Sequence, residues 1–273
     1  MLNAYRTTSR PKGNRPPVLL LCQHAGSGND FLDKYPLLSE HLEVSRETLQ
    51  RYFAIESDIG SRELVMTIAE HLSAPTLVLD FLLPRGIVDP NRYVDEALHD
   101  FFRLDELPEL KTALLDAHRR YVEAIDTIFK EIKPELYLDI HTMSPYSLSK
   151  PARSDSIEGH IESWLKYRGE SRKTDIITRN EDGTLISYVP LIGAVRRALE
   201  NANVEYDENK PFVGNPHICA TKYLVENRGI AIDFSKAQIA RSEDAPLDKI
   251  EVSMEKVGKI GVSIAREINK ILM

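Results

Sequence analysis

Four short apolar runs constrain this chain more than any other feature of its sequence: Val18–Cys22 (VLLLC), Thr76–Phe81 (TLVLDF), Glu135–Ile140 (ELYLDI) and Gly229–Phe234 (GIAIDF). Each has the length of a strand, and none alternates polar with apolar as a strand with one wet face does. Continuous apolar strands belong in a parallel sheet covered on both sides. Asp175–Thr178 is a weaker candidate of the same kind. The segments between carry apolar residues at helical spacing, such as Leu64, Val65, Ile68, Ala69 and Leu72 in the stretch Ser61–Leu72. Glu109–Ile132, Leu191–Ala202 and Leu247–Leu272 repeat that pattern. Strands alternating with helices predict an α/β fold, here a three-layer α/β/α sandwich around a mainly parallel, mixed sheet.

At 273 residues, 42% hydrophobic and 28% charged, the chain suffices for one such domain over residues 1–273. Two segments should stand apart from it. Residues 1–16 read as a polar N-terminal arm. Residues 144–173 read as a long excursion near the site, because ligands of open α/β sheets gather at the carboxyl ends of the strands. The formal net charge of −7 leaves no basic excess to neutralise phosphates, so nucleic acid is not an expected partner. The longest apolar stretch, Pro17–Cys22, is far too short for a membrane span, and Met1–Pro17 lacks the apolar core of a signal peptide. Cys22 and Cys219 make no disulfide framework and no CxxC pair, which predicts buried thiols and a cytoplasmic protein.

Three of the apolar runs end in polar residues that a core would not select. Val18–Cys22 runs into Gln23-His24-Ala25-Gly26-Ser27-Gly28, Glu135–Ile140 into His141-Thr142-Met143, and Gly229–Ile232 into Asp233. One histidine at a strand end is most simply bonded to a nearby carbonyl. Two of them, each ending its own buried strand, point instead to a metal. Two histidines and a carboxylate with an open fourth position make a common hydrolytic zinc site. Asp58, ahead of Ile59-Gly60-Ser61, fits a ligand and an acid at a helix N-terminus equally well. Of the chain's other histidines, His41, His71, His99 and His160 are expected in solvent, and His118 and His217 are left unassigned.

The loop Pro84-Arg85-Gly86-Ile87-Val88-Asp89-Pro90-Asn91-Arg92 follows the second run. Its arginines and asparagine suit a carboxylate, because Arg offers a planar fork of donors and Asn adds another. The bland alternative is a surface loop with an Asp89–Arg92 ion pair, worth little energetically.

Taken in order, QHAG after a strand, SDIG, R-x-x-x-D-P-N-R and D-I-H-T-M resemble the N-formylglutamate amidohydrolase family, over about Val18 to Ile239. That family shares its fold and site plan with the zinc carboxypeptidases and aspartoacylases, a phosphorylase/hydrolase-like architecture. The resemblance implies a single zinc held by His24, Asp58 and His141. It implies that Arg85 polarises the scissile carbonyl, that Asn91 and Arg92 grip a substrate carboxylate, and that Asp233 is the general base. His118 falls near a family histidine of unassigned role. The implied substrate is a small acidic N-acyl amino acid such as N-formylglutamate, and the oligomeric state is left open.

Two departures bear on this. The carboxylate at position 233 is one methylene shorter than the family's glutamate, and Asn215–Ala220 replaces a glycine-rich stretch. The alternatives are therefore hydrolysis of another N-acyl amino acid or peptide-like amide, or a ligand-binding homologue with weakened catalysis.

Overall fold

The computed structural model describes residues 1–273 except Met1, Asn3, Gly13, Asn14, Ala25, Ser154 and Pro216–Ile218. In chain order the elements are β1 (Tyr5–Arg10), β2 (Val18–Cys22), α1 (Gly28–Lys34), α2 (Leu38–Leu42), α3 (Arg46–Glu56), α4 (Ser61–His71) and β3 (Thr76–Phe81). Then come α5 (Pro108–Thr127), β4 (Leu136–Met143), β5 (Tyr146–Leu148), α6 (Ile157–Lys166), β6 (Arg168–Ser171) and β7 (Thr174–Ile177). The chain closes with α7 (Val189–Ala202), β8 (Tyr206–Glu208), α8 (Cys219–Glu226), β9 (Gly229–Ser235), α9 (Lys236–Ile239) and α10 (Met254–Leu272).

Seven strands form one sheet in the order β1-β3-β2-β4-β9-β7-β8. The four apolar runs are its centre, all mutually parallel. β1 is antiparallel on one edge, and β7 runs antiparallel to β9 with β8 parallel beyond it. The fold is thus the α/β sandwich with a mainly parallel mixed sheet. Side chains alternate between two cores. Leu19, Leu21, Leu79, Phe81 and Tyr137 pack with Phe31, Leu49, Phe53, Leu114 and Tyr121 on the face of α1, α3 and α5. Leu20, Val78, Leu138, Ile140 and Ile232 pack with Leu64, Ile68, Val195, Ile260 and Ile264 on the face of α4, α7 and α10. A strand buried on both faces needs no alternation, which is why the runs read as continuous apolar sequence.

The N-terminal segment does more than its polarity suggests. Tyr5–Arg10 pairs residue for residue with Phe81–Thr76, and Arg6 reaches the buried Asp80 at 2.6 Å. As an edge strand it has one side in solvent, so it carries Thr, Ser and Arg. The closing helix is shorter than its pattern: Leu247–Lys249 is a separate 3-10 turn, and Ser253 caps α10 by accepting from the Lys256 amide. His160 is not in solvent; it lies among Tyr52, Phe101 and Trp164 with Nε2 2.8 Å from Glu56 Oε1. Cys22 is a buried free thiol, while the Cys219 side chain and His217 lie outside the described residues. Among the described residues, no helix is long and apolar enough to cross a membrane.

Candidate active site

His141 and Asp233 are register partners on the parallel β4–β9 ladder. Both share the strand parity of Tyr137 and Ala231, which face the α3/α5 core, so both project to that side. β4 continues through His141 to Met143, which places this histidine on the ladder itself and not after it. His24 follows β2 by two residues. A Cβ at Gly26 would run into the Leu83 carbonyl, so the turn after His24 can close against the β3 exit only with glycine there.

Asp58 is brought to the histidines by its backbone. Its amide donates to the His24 carbonyl at 3.0 Å, and Thr142 Oγ1 donates to the Ile59 carbonyl at 3.0 Å. Gly60, at φ 89°, then reverses the chain into α4 and is the residue before that helix; Ser61 is already its first residue. The Asp58 side chain thus points away from the helix it precedes, toward the two imidazoles.

Three atoms converge. His24 Nδ1 and His141 Nδ1 are 3.2 Å apart, and Asp58 Oδ2 lies 3.2 and 2.9 Å from them respectively. Ligand atoms at about 2.0–2.1 Å from a tetrahedral zinc are about 3.3 Å from one another, so the donor set fits such an ion. The far nitrogen of each ring is occupied: His24 Nε2 lies 2.9 Å from Asp89 Oδ1, and His141 Nε2 lies 3.2 Å from Asp139 Oδ2. With a metal bound, protons held there would leave both Nδ1 lone pairs turned inward, the arrangement of metal-binding histidines backed by carboxylates. Without one, burial works to lower His141, yet Asp139 and Asp58 raise it well above its usual pKa. Gln23 Nε2 in turn holds Asp139 Oδ2 at 2.8 Å.

The loop after β3 closes over this cluster. Tyr52 Oη donates to the Gly86 carbonyl at 3.0 Å, and Asp89 Oδ1 accepts from the Asn91 amide at 2.9 Å. Arg85 Nη1 lies 3.8 Å from Asp58, while Arg85 Nε and Arg92 Nε lie 3.5 and 3.8 Å from Asp89. His118, on α5, sits with Nε2 2.8 Å from the Arg92 carbonyl. Burial keeps His118 below its usual pKa and so neutral, which makes it a donor that holds the Arg92 backbone.

Charge inside this group is heavily perturbed. Burial works to raise Asp89 and Asp58, but their cationic and histidine neighbours (His24 and Arg85 for Asp89, His24 and His141 for Asp58) hold both below the usual carboxylate range. Burial works to lower Arg85, yet Asp89 and Asp58 keep it firmly charged. Asp233 goes the other way: burial and the nearby Asp58 push it up to about 7, against the opposing pull of His141. Its Oδ1 has no hydrogen-bond partner.

His24, Asp58, Arg85, Asn91, Arg92, His141 and Asp233 all line one cavity of about 270 Å³. The structure therefore brings together every candidate residue read from the sequence. Sequence reading passed over Asp139, Glu56, Arg172 and Lys236, which line the same cavity, and took Asp89 only as a surface ion-pair partner of Arg92. Of these, Asp139 carried a signal: an acid inside the apolar run ELYLDI. Trp164 and Ser144 bring the 144–173 excursion to the same wall.

No protein-family model matches the sequence, and no curated protein matches it. Solved structures do. An N-formylglutamate amidohydrolase from Ralstonia eutropha JMP134 superposes with a TM-score of 0.62 at 13% identity, covering 99% of this chain and 97% of that one. A gene product of Agrobacterium tumefaciens gives a TM-score of 0.59 at 16% identity, over 98% and 96% of the two chains. Over nearly its whole length, then, this chain has the fold of that N-formylglutamate amidohydrolase, as the order of its sequence motifs implies.

Proposed function

We propose that the protein is a metal-dependent amidohydrolase that cleaves the amide of a small N-acyl amino acid, N-formylglutamate or a close relative. The observation that carries this is the convergence of His24 Nδ1, Asp58 Oδ2 and His141 Nδ1 within 3.2 Å, beside a carboxyl raised to about 7. His24, Asp58 and His141 would hold one zinc. When bound, zinc supplies Lewis acidity, which polarises a carbonyl and makes water a better nucleophile at neutral pH.

The chain's own groups do the rest. Asn91 and Arg92 hold the amino-acid carboxylate and so fix the scissile bond. Asp233 takes the proton as water adds to the acyl carbon, and returns it to the nitrogen as the C–N bond breaks. Arg85 lies 3.8 Å from Asp58, at the edge of the cluster, where its charge stabilises negative charge developing on the carbonyl oxygen. The products are a carboxylic acid and a free amino acid. A base near neutrality can both accept and release the proton, which an ordinary exposed aspartate does poorly.

Elemental analysis of the purified protein, coupled to amine release from N-formyl-L-glutamate and other N-acyl amino acids, tests this reading. One zinc per chain with amine release supports it. Zinc without turnover on any acylated amino acid would favour a binding protein, and absence of both overturns the reading.

A further inference from the structure

One wall of the cavity is built from irregular chain. Phe212, Val213 and Gly214 line the cavity, and they follow β8 outside every named helix and strand. Three anchors tie this segment to β7 and the turn after it. The Asn209 carboxamide oxygen accepts from the Thr178 and Arg179 amides, each at 2.8 Å. The Gly214 amide donates to the Arg179 carbonyl at 2.8 Å. Between these two, the Asp175 carboxylate accepts from the Lys210 amide at 3.0 Å and, on its other oxygen, from the Phe212 amide at 2.8 Å.

Asp175 is itself placed by the sheet. It is the register partner of Asp233 on the antiparallel β7–β9 ladder, where Ile177 pairs with Ala231 of the α3/α5 core. Directly opposed residues share a face, so Asp175 lies beside Asp233 on the cavity side. Yet Asp175 is fully buried and does not line the cavity, whereas Phe212 does. The segment 210–214 therefore crosses over Asp175 and presents Phe212 next to the proposed base. The Phe212 ring continues this wall toward Arg172, whose guanidinium lies 5.8 Å from it.

An acid that serves only the fold is the plain alternative. Among short side chains, only an ionised acid offers two acceptor oxygens and no donor. Here both oxygens are spent on one stretch of cavity wall, and the charge is buried against backbone amides, which is costly. Such an arrangement suits holding one side chain at a set position.

We propose that Phe212 determines which acyl groups fit beside the scissile amide, and that Asp175 is the positioning residue that holds it there. The inference rests on the reaction proposed above, in which Asp233 moves the proton at the acyl carbon and the nitrogen. Groups on that carbon lie beside Asp233, against Phe212 and Val213, while the amino-acid carboxylate lies at Asn91 and Arg92. The wall restricts the substrate to short acyl groups and excludes longer chains.

Rates on the N-formyl, N-acetyl and N-butyryl derivatives of glutamate test this with the intact protein. The wild type should prefer N-formyl over N-butyryl by about tenfold or more in kcat/KM. Phe212→Ala, at a residue 37% exposed, should cut that preference by about fivefold or more, mainly through KM for the longer chain. Asp175→Asn keeps the shape but turns a donor toward one of the two backbone N–H groups, and should cut the preference in the same direction. Added to Phe212→Ala it should change the preference no further, because it acts through that ring. No preference in the wild type, a loss in Asp175→Asn that is uniform across the three acyl groups, or additive effects in the double variant would overturn the assignment. Asn209→Gly frees the same segment from its other end at φ 58°, which glycine accepts, and replaces Asp175→Asn if that variant does not fold. Should none of the series be hydrolysed, the proposed reaction fails, and the same preferences read as dissociation constants by titration calorimetry still decide the wall.

Discussion

Asp89 Oδ1 lies 2.9 Å from His24 Nε2, while Oδ2 of the same carboxylate faces Arg85 and Arg92. One aspartate thereby joins a candidate metal ligand to the arginines assigned to substrate. Asp139 backs His141 in the same way and accepts from Gln23, but among the described residues it pairs with neither Arg85 nor Arg92. The two aspartates should therefore fail differently.

Asp89→Asn and Asp139→Asn should each weaken zinc by about 10–100-fold, measured by competition with a chelator of known affinity. Only Asp89→Asn should also raise KM for free-acid substrates, because it releases Arg92. Matching KM values in the two variants would break the link drawn here between Asp89 and substrate binding.

Asp233→Asn should keep zinc and fold while kcat falls by about 10²–10⁴-fold. Asp233→Glu restores the longer side chain and should be active. The wild-type rate should fall as pH drops through about 7, because burial raises this carboxyl and its protonated form accepts no proton. A bound cation favours the charged form, so the midpoint of the zinc enzyme should lie below that value. An Asp233→Asn variant with the wild-type profile would remove the residue from the mechanism.

Arg92→Lys keeps the charge and loses the fork, so kcat/KM for free-acid substrates should fall, and further in Arg92→Ala, by at least tenfold. A substrate amidated at that carboxylate should be poor for the wild type and indifferent to both changes. If Arg92 were only half of a surface pair with Asp89, both variants would behave like the wild type.

Glu56 gives a stability test independent of turnover. Burial opposes its ionisation, but the His160 hydrogen bond and Arg85 hold it down to about 2 from 4.5. A depressed carboxyl stabilises the folded state above its unfolded pKa and ceases to do so as pH falls through the folded one. The contribution, on the order of 3 kcal/mol, should vanish between pH 4.5 and 2. Melting temperatures of wild type and Glu56→Gln should therefore converge on acidification. A constant gap between them would show that the pair is not what holds Glu56 ionised.

The central strands were legible because burial on both faces writes itself as an unbroken apolar run. β1 was not, because an edge strand reads as TTSR. α3 carried Ser45 as a cap and Leu49, Tyr52 and Phe53 at helical spacing, a pattern the segment 28–56 hides among charges. His24, His141 and Asp233 stood out as polar residues at the ends of apolar runs. The carboxylates behind them did not, since an acid in a buried strand has no fixed meaning. Asp80 in TLVLDF serves Arg6 and Arg62, whereas Asp139 in ELYLDI serves His141. Only the partner, supplied by distant sequence, separates a structural acid from one that aims a ligand.

The rung that pairs His141 with Asp233 has a consequence for redesign. Backbone hydrogen bonds of β4 and β9 set their spacing, and β7 clamps the other side of Asp233 through Asp175. Other residues of the cavity wall come from elsewhere: Arg85, Asn91 and Arg92 from one loop, Trp164 and Arg172 from the excursion. The proposed chemistry is thus anchored on a rigid ruler and the proposed selectivity on exchangeable segments. Grafting a different 144–173 segment should retarget the cavity while leaving metal, base and their separation untouched.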